Sequence, residues 1–154
     1  MNTFLSYSVD DLALVERISE QLKPYTNLYY WDKSKEPGED AWKQIFRWID
    51  NSDLVVTIIT DNAVARAMSV AQEIGYSKRA NKLIIPLVGP NINPAELGCL
   101  QGVVHERIAA DKIDGAISAI HRRINTIEEK ERIQNIVIIG IIVLALIWFL
   151  TRKR

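Results

Sequence analysis

Cysteine occurs once in this sequence, at Cys99, so no internal disulfide can form and the thiol content demands no oxidising compartment. Net charge is lacking as well, because nineteen basic and nineteen acidic residues cancel. That removes the basic field which a nucleic-acid surface exchanges for phosphate counterions, and no nucleic-acid partner is expected. Glycine is sparse and scattered: neither GxGxxG nor GxxxxGK[ST] occurs among the seven glycines, which excludes the common phosphate-cradling loops. The two histidines, His105 and His121, stand outside any ligand spacing with Cys99, so no metal site is expected. A Cys–His nucleophile pair stays open on spacing alone, although lone residues of this kind are most often structural. The opening MNTFLSY has neither a basic start nor an apolar core followed by a small-residue cleavage site. The expectation is therefore no signal peptide and a folded part that stays in the cytoplasm.

What the chain does have is enough apolar content, 48%, and enough charge, 25%, for one globular domain plus an appendage in 154 residues. The appendage is the run IVIIGIIVLALIWFL from Ile136 to Leu150, which carries no charge. Extended back to Ile133 it makes about 18 residues, or about 27 Å of helix against a hydrocarbon core of about 30 Å. Trp148 falls where an interfacial aromatic belongs, and Lys130, Arg132, Arg152, Lys153 and Arg154 can snorkel to head groups. A buried core helix in so small a domain would show a polar face, and this run shows none. The sequence thus predicts a domain over 1–127, a juxtamembrane linker over 128–132, a transmembrane helix over 133–150 and a basic tail over 151–154. Charge flanks the span on both sides and barely orients it. Translocating a short tail is easier than exporting a folded domain, so the domain is expected in the cytoplasm, the tail outside and the bilayer as a partner.

Within the domain, Phe4–Tyr7 reads as a strand, followed by a helix with Leu12, Val15, Ile18 and Leu22 on one face and Pro24 ending it. Asn27–Trp31 is a second strand, and DKSKEPGED is a polar loop with a Pro37-Gly38 turn. The next helix turns Trp42, Ile45, Phe46 and Ile49 inward. Leu54–Ile59 is almost wholly apolar, as a central parallel strand covered on both faces must be. A helix from about Ala63 to Ala80, a strand Lys82–Val88, a short strand around His105–Ile108 and a last helix from Asp111 follow. The last helix carries Ile113, Ile117, Ile120, Ile124 and Ile127 on one seam; its early part is expected to cover the sheet, and its later part either packs there too, extends toward the bilayer or, from its alternating spacing, pairs with a second chain.

This alternation predicts a flavodoxin-like, doubly wound, five-stranded parallel sheet with helices on both faces. Its crevice lies beyond the carboxyl ends of the strands, which here offer Ser6-Tyr7-Ser8, the loop 32–40, Thr60-Asp61-Asn62 and the loop after Val88. With phosphate loops and metals set aside, carboxylate chemistry in that crevice remains. Glu73, in MSVAQEIGYS, has Ser69, Val70, Tyr76 and Ser77 as its helical neighbours. A single helical glutamate is usually solvated decoration, but this helix follows the central strand and its first half borders the crevice.

Three stretches together resemble a Toll/interleukin-1 receptor (TIR) domain of the prokaryotic kind over about residues 3–127. FLSYSVDD is similar to the family's first-strand motif. YYWDKSKEPGEDAWKQIFRWIDNSDLVVTIIT is similar to its second strand, Pro-Gly loop, Trp-bearing helix and central strand. SVAQEIGYSKRANKLIIPLV resembles its catalytic-glutamate helix and fourth strand. The resemblance implies either of two functions. Enzymatic members split NAD+ as a substrate, with no further cofactor, at the nicotinamide–ribose bond and leave ADP-ribose or a cyclised form. Adaptor members only assemble with one another. By resemblance the catalytic carboxylate is Glu73, substrate contacts fall on Ser8, Val9 and Glu36, and Pro37 and Gly38 shape the loop used in homo-oligomeric assembly. Ser69 stands where many members have an aromatic, Ala67 where a Ser is common, Ser8 and Val9 where some enzymes place basic residues, and Asp40 in the loop's aromatic slot. A third possibility is that the membrane span itself is the effector and oligomerises to perturb the bilayer.

Overall fold

The strands pair as one parallel sheet in the order β2-β1-β3-β4-β5, formed by β1 (Asn2–Ser6), β2 (Asn27–Tyr29), β3 (Leu54–Ile59), β4 (Leu83–Val88) and β5 (Glu106–Arg107). This is the flavodoxin order, with its switch point between β1 and β3. The computed structural model describes residues 1–31, 40–65, 67–93, 97–109 and 113–152, and their side chains except those of 64, 65, 67 and 145–152. The helices are α1 (Leu12–Leu22), α2 (Ala41–Asp50), α3 (Asp61–Ala65), α4 (Ala67–Arg79) and α5 (Asp114–Arg152), with a 3-10 turn at Val9–Asp11 before α1.

All six residues of β3 are buried, as its unbroken apolar sequence requires of the middle strand. Its register with β1, Phe4 to Val55, Leu5 to Val56 and Ser6 to Thr57, divides the side chains between the two faces. Leu5, Val56 and Ile58 pack on Val15, Ile18 and Leu22 of α1 and on Ile120 and Ile124 of α5. Phe4 and Val55 meet Ile45 and Ile49 of α2 on the other face, where Val70 and Ile74 of α4 cover Ile59 and Val88. The isoleucine seam of α5 therefore packs on its own sheet. Strand alternation places Ser6 and Thr57 on the α2/α4 face beyond Phe4 and Val55. An aromatic layer closes that side: Trp48 lies 6.4 Å from Phe4, 6.4 Å from Tyr29 and 6.1 Å from Trp31. Phe46 stacks on Tyr76 at 4.3 Å and ties α2 to α4.

The helix expected over 63–80 is described as α3 and α4, with residue 66 between them outside the described residues. Two local expectations change. The expected β5 shortens to two residues because it pairs only with Leu87 and Val88. Trp42, expected inward, is 37% exposed in the first turn of α2, while Ile45 and Ile49 are buried and Phe46 packs partly buried against them.

The C-terminal segment also needs restating. α5 runs unbroken for 39 residues, through the stretch 128–132 expected as a linker. Among the described residues no helix is long and apolar enough to cross a membrane. From Ile133 the described side chains end at Leu144, about 18 Å of helix against a core of about 30 Å. The side chains that complete the expected span, 145–150, lie outside the described residues.

Candidate functional site

At the carboxyl end of β1 the chain leaves the sheet and Ser8 caps the 3-10 turn, its hydroxyl accepting from the Asp10 N–H. Asp40 does the same for α2, its side chain accepting from the Lys43 N–H at 3.2 Å, which fixes where that helix begins. Tyr7 donates its hydroxyl to the Trp31 carbonyl and holds the end of β2 against β1. These fixed ends frame a cleft of about 250 Å³ at the switch point. Phe4, Tyr7, Ser8 and Val9 line it from the first strand and turn, Trp31 from the end of β2, Trp42 and Ile45 from α2, and Ser69 and Glu73 from α4.

Glu73 lines this cleft yet is only 7% exposed. Burial strips water from its carboxylate and pushes the pKa from an ordinary 4.5 up to about 7. A hydrogen-bonding interaction from the Ser6 hydroxyl works the other way, although it falls short of ordinary hydrogen-bond geometry. The helix beneath is held by Ser77, whose hydroxyl donates to the Glu73 carbonyl at 2.7 Å. A half-ionised carboxylate in an aromatic-walled cleft can change charge near neutral pH and can face a developing positive charge where little water competes.

A larger hollow, about 610 Å³, lies at the same edge of the sheet around Asp11, Arg17, Thr60, Gly89 and Ile108. Its buried carboxylate, Asp11, is occupied: Thr60 donates to it at 2.5 Å and the Asn62 amide at 2.8 Å. This network ties the end of β3 to the turn after β1, a structural task. Among the described residues no group of three or more His, Cys, Asp or Glu could hold a metal ion.

Of the residues singled out in the sequence, Glu73, Ser8 and Val9 meet in one cleft, with Ser69 beside the glutamate. Glu36, Pro37 and Gly38 lie outside the described residues, as does the side chain of Ala67. Asp40 acts as a helix cap. Sequence reasoning set Tyr7 at the crevice but passed over Trp31 and Trp42 as its walls. The signal for Trp42 was its place in the first turn of a helix that follows a loop at the carboxyl edge. Ser6, named there only as part of a strand end, shares its face with Phe4 by its two-residue spacing.

The family model described as TIR domain matches residues 3–117. No curated protein matches the chain in sequence. Among solved structures, the TIR domain of the Toll-related receptor TRR-2 from Hydra magnipapillata is 13% identical, with a TM-score of 0.64 over 80% of this chain and 97% of that one. The TIR domains of the activated Roq1 resistosome are 17% identical, with a TM-score of 0.51 over 61% of this chain; the match spans 60% of the resistosome chain. The CMP N-glycosidase BcmB of Clostridium botulinum is 15% identical, with a TM-score of 0.55 over 78% of this chain and 98% of that one. Likeness at such identities concerns the fold alone.

Proposed function

Because the chain belongs to the TIR domain family, we propose that its cleft takes NAD+ and cleaves the nicotinamide–ribose bond, with Glu73 as the catalytic carboxylate. The observation that carries this reading is one buried glutamate lining an aromatic-walled cleft at the switch point. When the glycosidic C–N bond breaks, its electron pair leaves with nicotinamide, which departs neutral, and the ribose is left as an oxocarbenium-like cation. A fixed carboxylate hydrogen-bonded to the ribose hydroxyls stabilises that charge, the electrostatics that glycoside hydrolysis uses. Addition of water at the anomeric carbon and loss of its proton gives ADP-ribose; attack by a nucleophile of the same molecule gives a cyclised product. Ser8 and Val9 form the substrate-facing edge, and Glu36 joins them by resemblance. The likeness to an enzyme named for N-glycosidase activity supports the capacity of this fold for such a bond cleavage.

The carboxylate is the working form, so kcat/KM for nicotinamide release should rise with pH and level off above a midpoint near 7, the value burial imposes on Glu73. Chromatographic assay of nicotinamide between pH 5.5 and 8.5 reads this directly. A flat profile, or one falling across that range, removes Glu73 from the role. The assay is run dilute and crowded, since self-association through TIR–TIR contacts at Pro37 and Gly38 belongs to the proposal and a dilute monomer would be inert. Ser69, standing where the family often has an aromatic, favours the second reading, a non-catalytic assembly module in signalling; there nicotinamide never appears.

The C-terminal helix is the proposed anchor. Ile136, Val137, Ile138, Ile139, Ile141, Ile142, Val143 and Leu144 are each about half exposed or more, with no polar face among them. The same run continues uncharged to Leu150 in the sequence. Water-exposed apolar surface on this scale calls for a covering phase, and a bilayer supplies it, with the domain on the cytoplasmic side and the basic tail outside. The full chain is expected to float with phosphatidylcholine vesicles through a density gradient and to resist extraction at high salt, while replacing Ile138, Ile142 and Leu144 by lysine leaves it at the bottom. Flotation of both proteins alike would locate membrane binding elsewhere.

A further inference from the structure

Two hydroxyls under the cleft have no evident purpose in the fold. Ser6 Oγ and Thr57 Oγ1 are buried, at 1% and 0% residue exposure, and neither has a hydrogen-bond partner among the described residues. A buried hydroxyl without a partner costs on the order of 1–3 kcal/mol, and an apolar residue of the same size would avoid that cost. The two are register partners on adjacent central strands, β1 and β3, on the face that α4 covers. Glu73, on α4 across that face, interacts with Ser6, is buried and lines the cleft.

We propose that Thr57 and Ser6 form a hydroxyl relay that positions the Glu73 carboxylate, Thr57 donating to Ser6 and Ser6 donating to Glu73. Each hydroxyl is a rotor, so a turn about χ1 aligns the chain when the carboxylate is ionised, and the two donors strengthen one another in a low dielectric. The relay explains why both polar groups sit in an otherwise apolar sheet: they serve one charge state of one side chain. It also accounts for Ser6 opposing the effect of burial on Glu73. Other charges do not take this role. On α2, Asp50 accepts from the Tyr76 hydroxyl and Arg47 donates to Gln44, while Lys43 lies on the exposed side. On α4, Arg79 lies over the Tyr76 ring and Lys78 is in the exposed last turn. Among the described residues, Asp61 of α3, Cys99 of a 3-10 turn at Gly98–Leu100, Asp10 and Asp11 of the turn after β1, and the Tyr7 phenol, which donates to Trp31, are the other titratable groups on elements around the glutamate. None of them is a cause of its shift.

The catalytic meaning of the relay rests on the NAD+-cleaving reading, but its test does not. The full chain in detergent micelles, labelled with carboxyl-13C glutamate, is titrated by NMR, the Glu73 resonance being identified by its loss in Glu73→Gln. Ser6→Ala is expected to move the Glu73 midpoint upward by on the order of one pH unit, the worth of a hydrogen bond to a charged group. Thr57→Val, which keeps the side chain's volume, is expected to move it in the same direction by less, and Thr57→Ser to leave it in place. The acid limb of nicotinamide release should shift with the midpoint while KM holds, which loss of packing alone would not produce. An unchanged midpoint in Ser6→Ala overturns the proposal, and an unchanged one in Thr57→Val overturns the part assigned to Thr57. Should Ser6→Ala fail to fold, Ser6→Cys, which puts a weak donor in place of the hydroxyl, takes its place with the same expected direction. A titration that shifts in a protein releasing no nicotinamide keeps the relay and rejects the activity.

Discussion

Glu73→Gln is expected to lower nicotinamide release by at least about 100-fold, the usual cost of removing one electrostatic stabiliser of a transition state. Glutamine keeps the shape and the hydrogen-bonding reach of the side chain but carries no charge to set against the ribosyl cation. The loss should therefore fall on kcat, with KM for NAD+ moving little, because ground-state NAD+ carries its positive charge on the nicotinamide rather than on the ribose carbon. Single-turnover release of nicotinamide, measured with enzyme in excess at pH 8, isolates the chemical step. A variant retaining a third or more of the parent rate would end the case for Glu73 and leave the assembly reading in possession.

The same substitution should make the protein more stable. The folded-state pKa of Glu73 is raised, from 4.5 to about 7, so between those values the folded chain holds a proton that the unfolded chain has released. Stability then falls as pH rises from about 4.5, and the loss is complete above about 7. It amounts to about 3 kcal/mol, the free energy of that pKa difference. Glutamine has no proton to lose. Glu73→Gln is thus expected to match the parent near pH 4.5 and to exceed it by up to about 3 kcal/mol at pH 8. Urea unfolding at both pH values, followed by tryptophan emission, measures the gap. Equal stability at pH 8, or a parent that gains on the variant between pH 5 and 8, would show that the carboxylate is not held against its own solvation. A catalytic group kept at such a cost is the usual form of conflict between stability and activity.

Much of this molecule is legible from residue order. The apolar run Leu54–Ile59 must be buried on both sides because it offers no polar face, and β3 is the middle strand. The isoleucines of α5 repeat at helical spacing, and Ile120 and Ile124, with Ile113 just before the helix, are in the core. Glu73 could be named because its helix follows the central strand in a doubly wound fold. The walls of the cleft were harder to read. Trp42 has the spacing of a core residue with Ile45 and Ile49, and nothing local says that it lines the cleft, part exposed, instead of entering the core. Ser6 looked like the end of a strand, and Thr57 like a β-branched residue with a high strand propensity.

Residue order by itself determined the alternation of strands and helices, the parallel sheet, the two apolar faces and the presence of one glutamate near the switch point. These follow from periodicity and chain connectivity, which are properties of neighbours along the backbone. The tertiary structure alone decided that this glutamate is buried rather than solvated, that its pKa lies near 7, and that two hydroxyls from different strands stand beneath it. Desolvation depends on what α2, β1 and β3 bring from distant parts of the chain to surround one carboxyl group, and no spacing within MSVAQEIGYS encodes that.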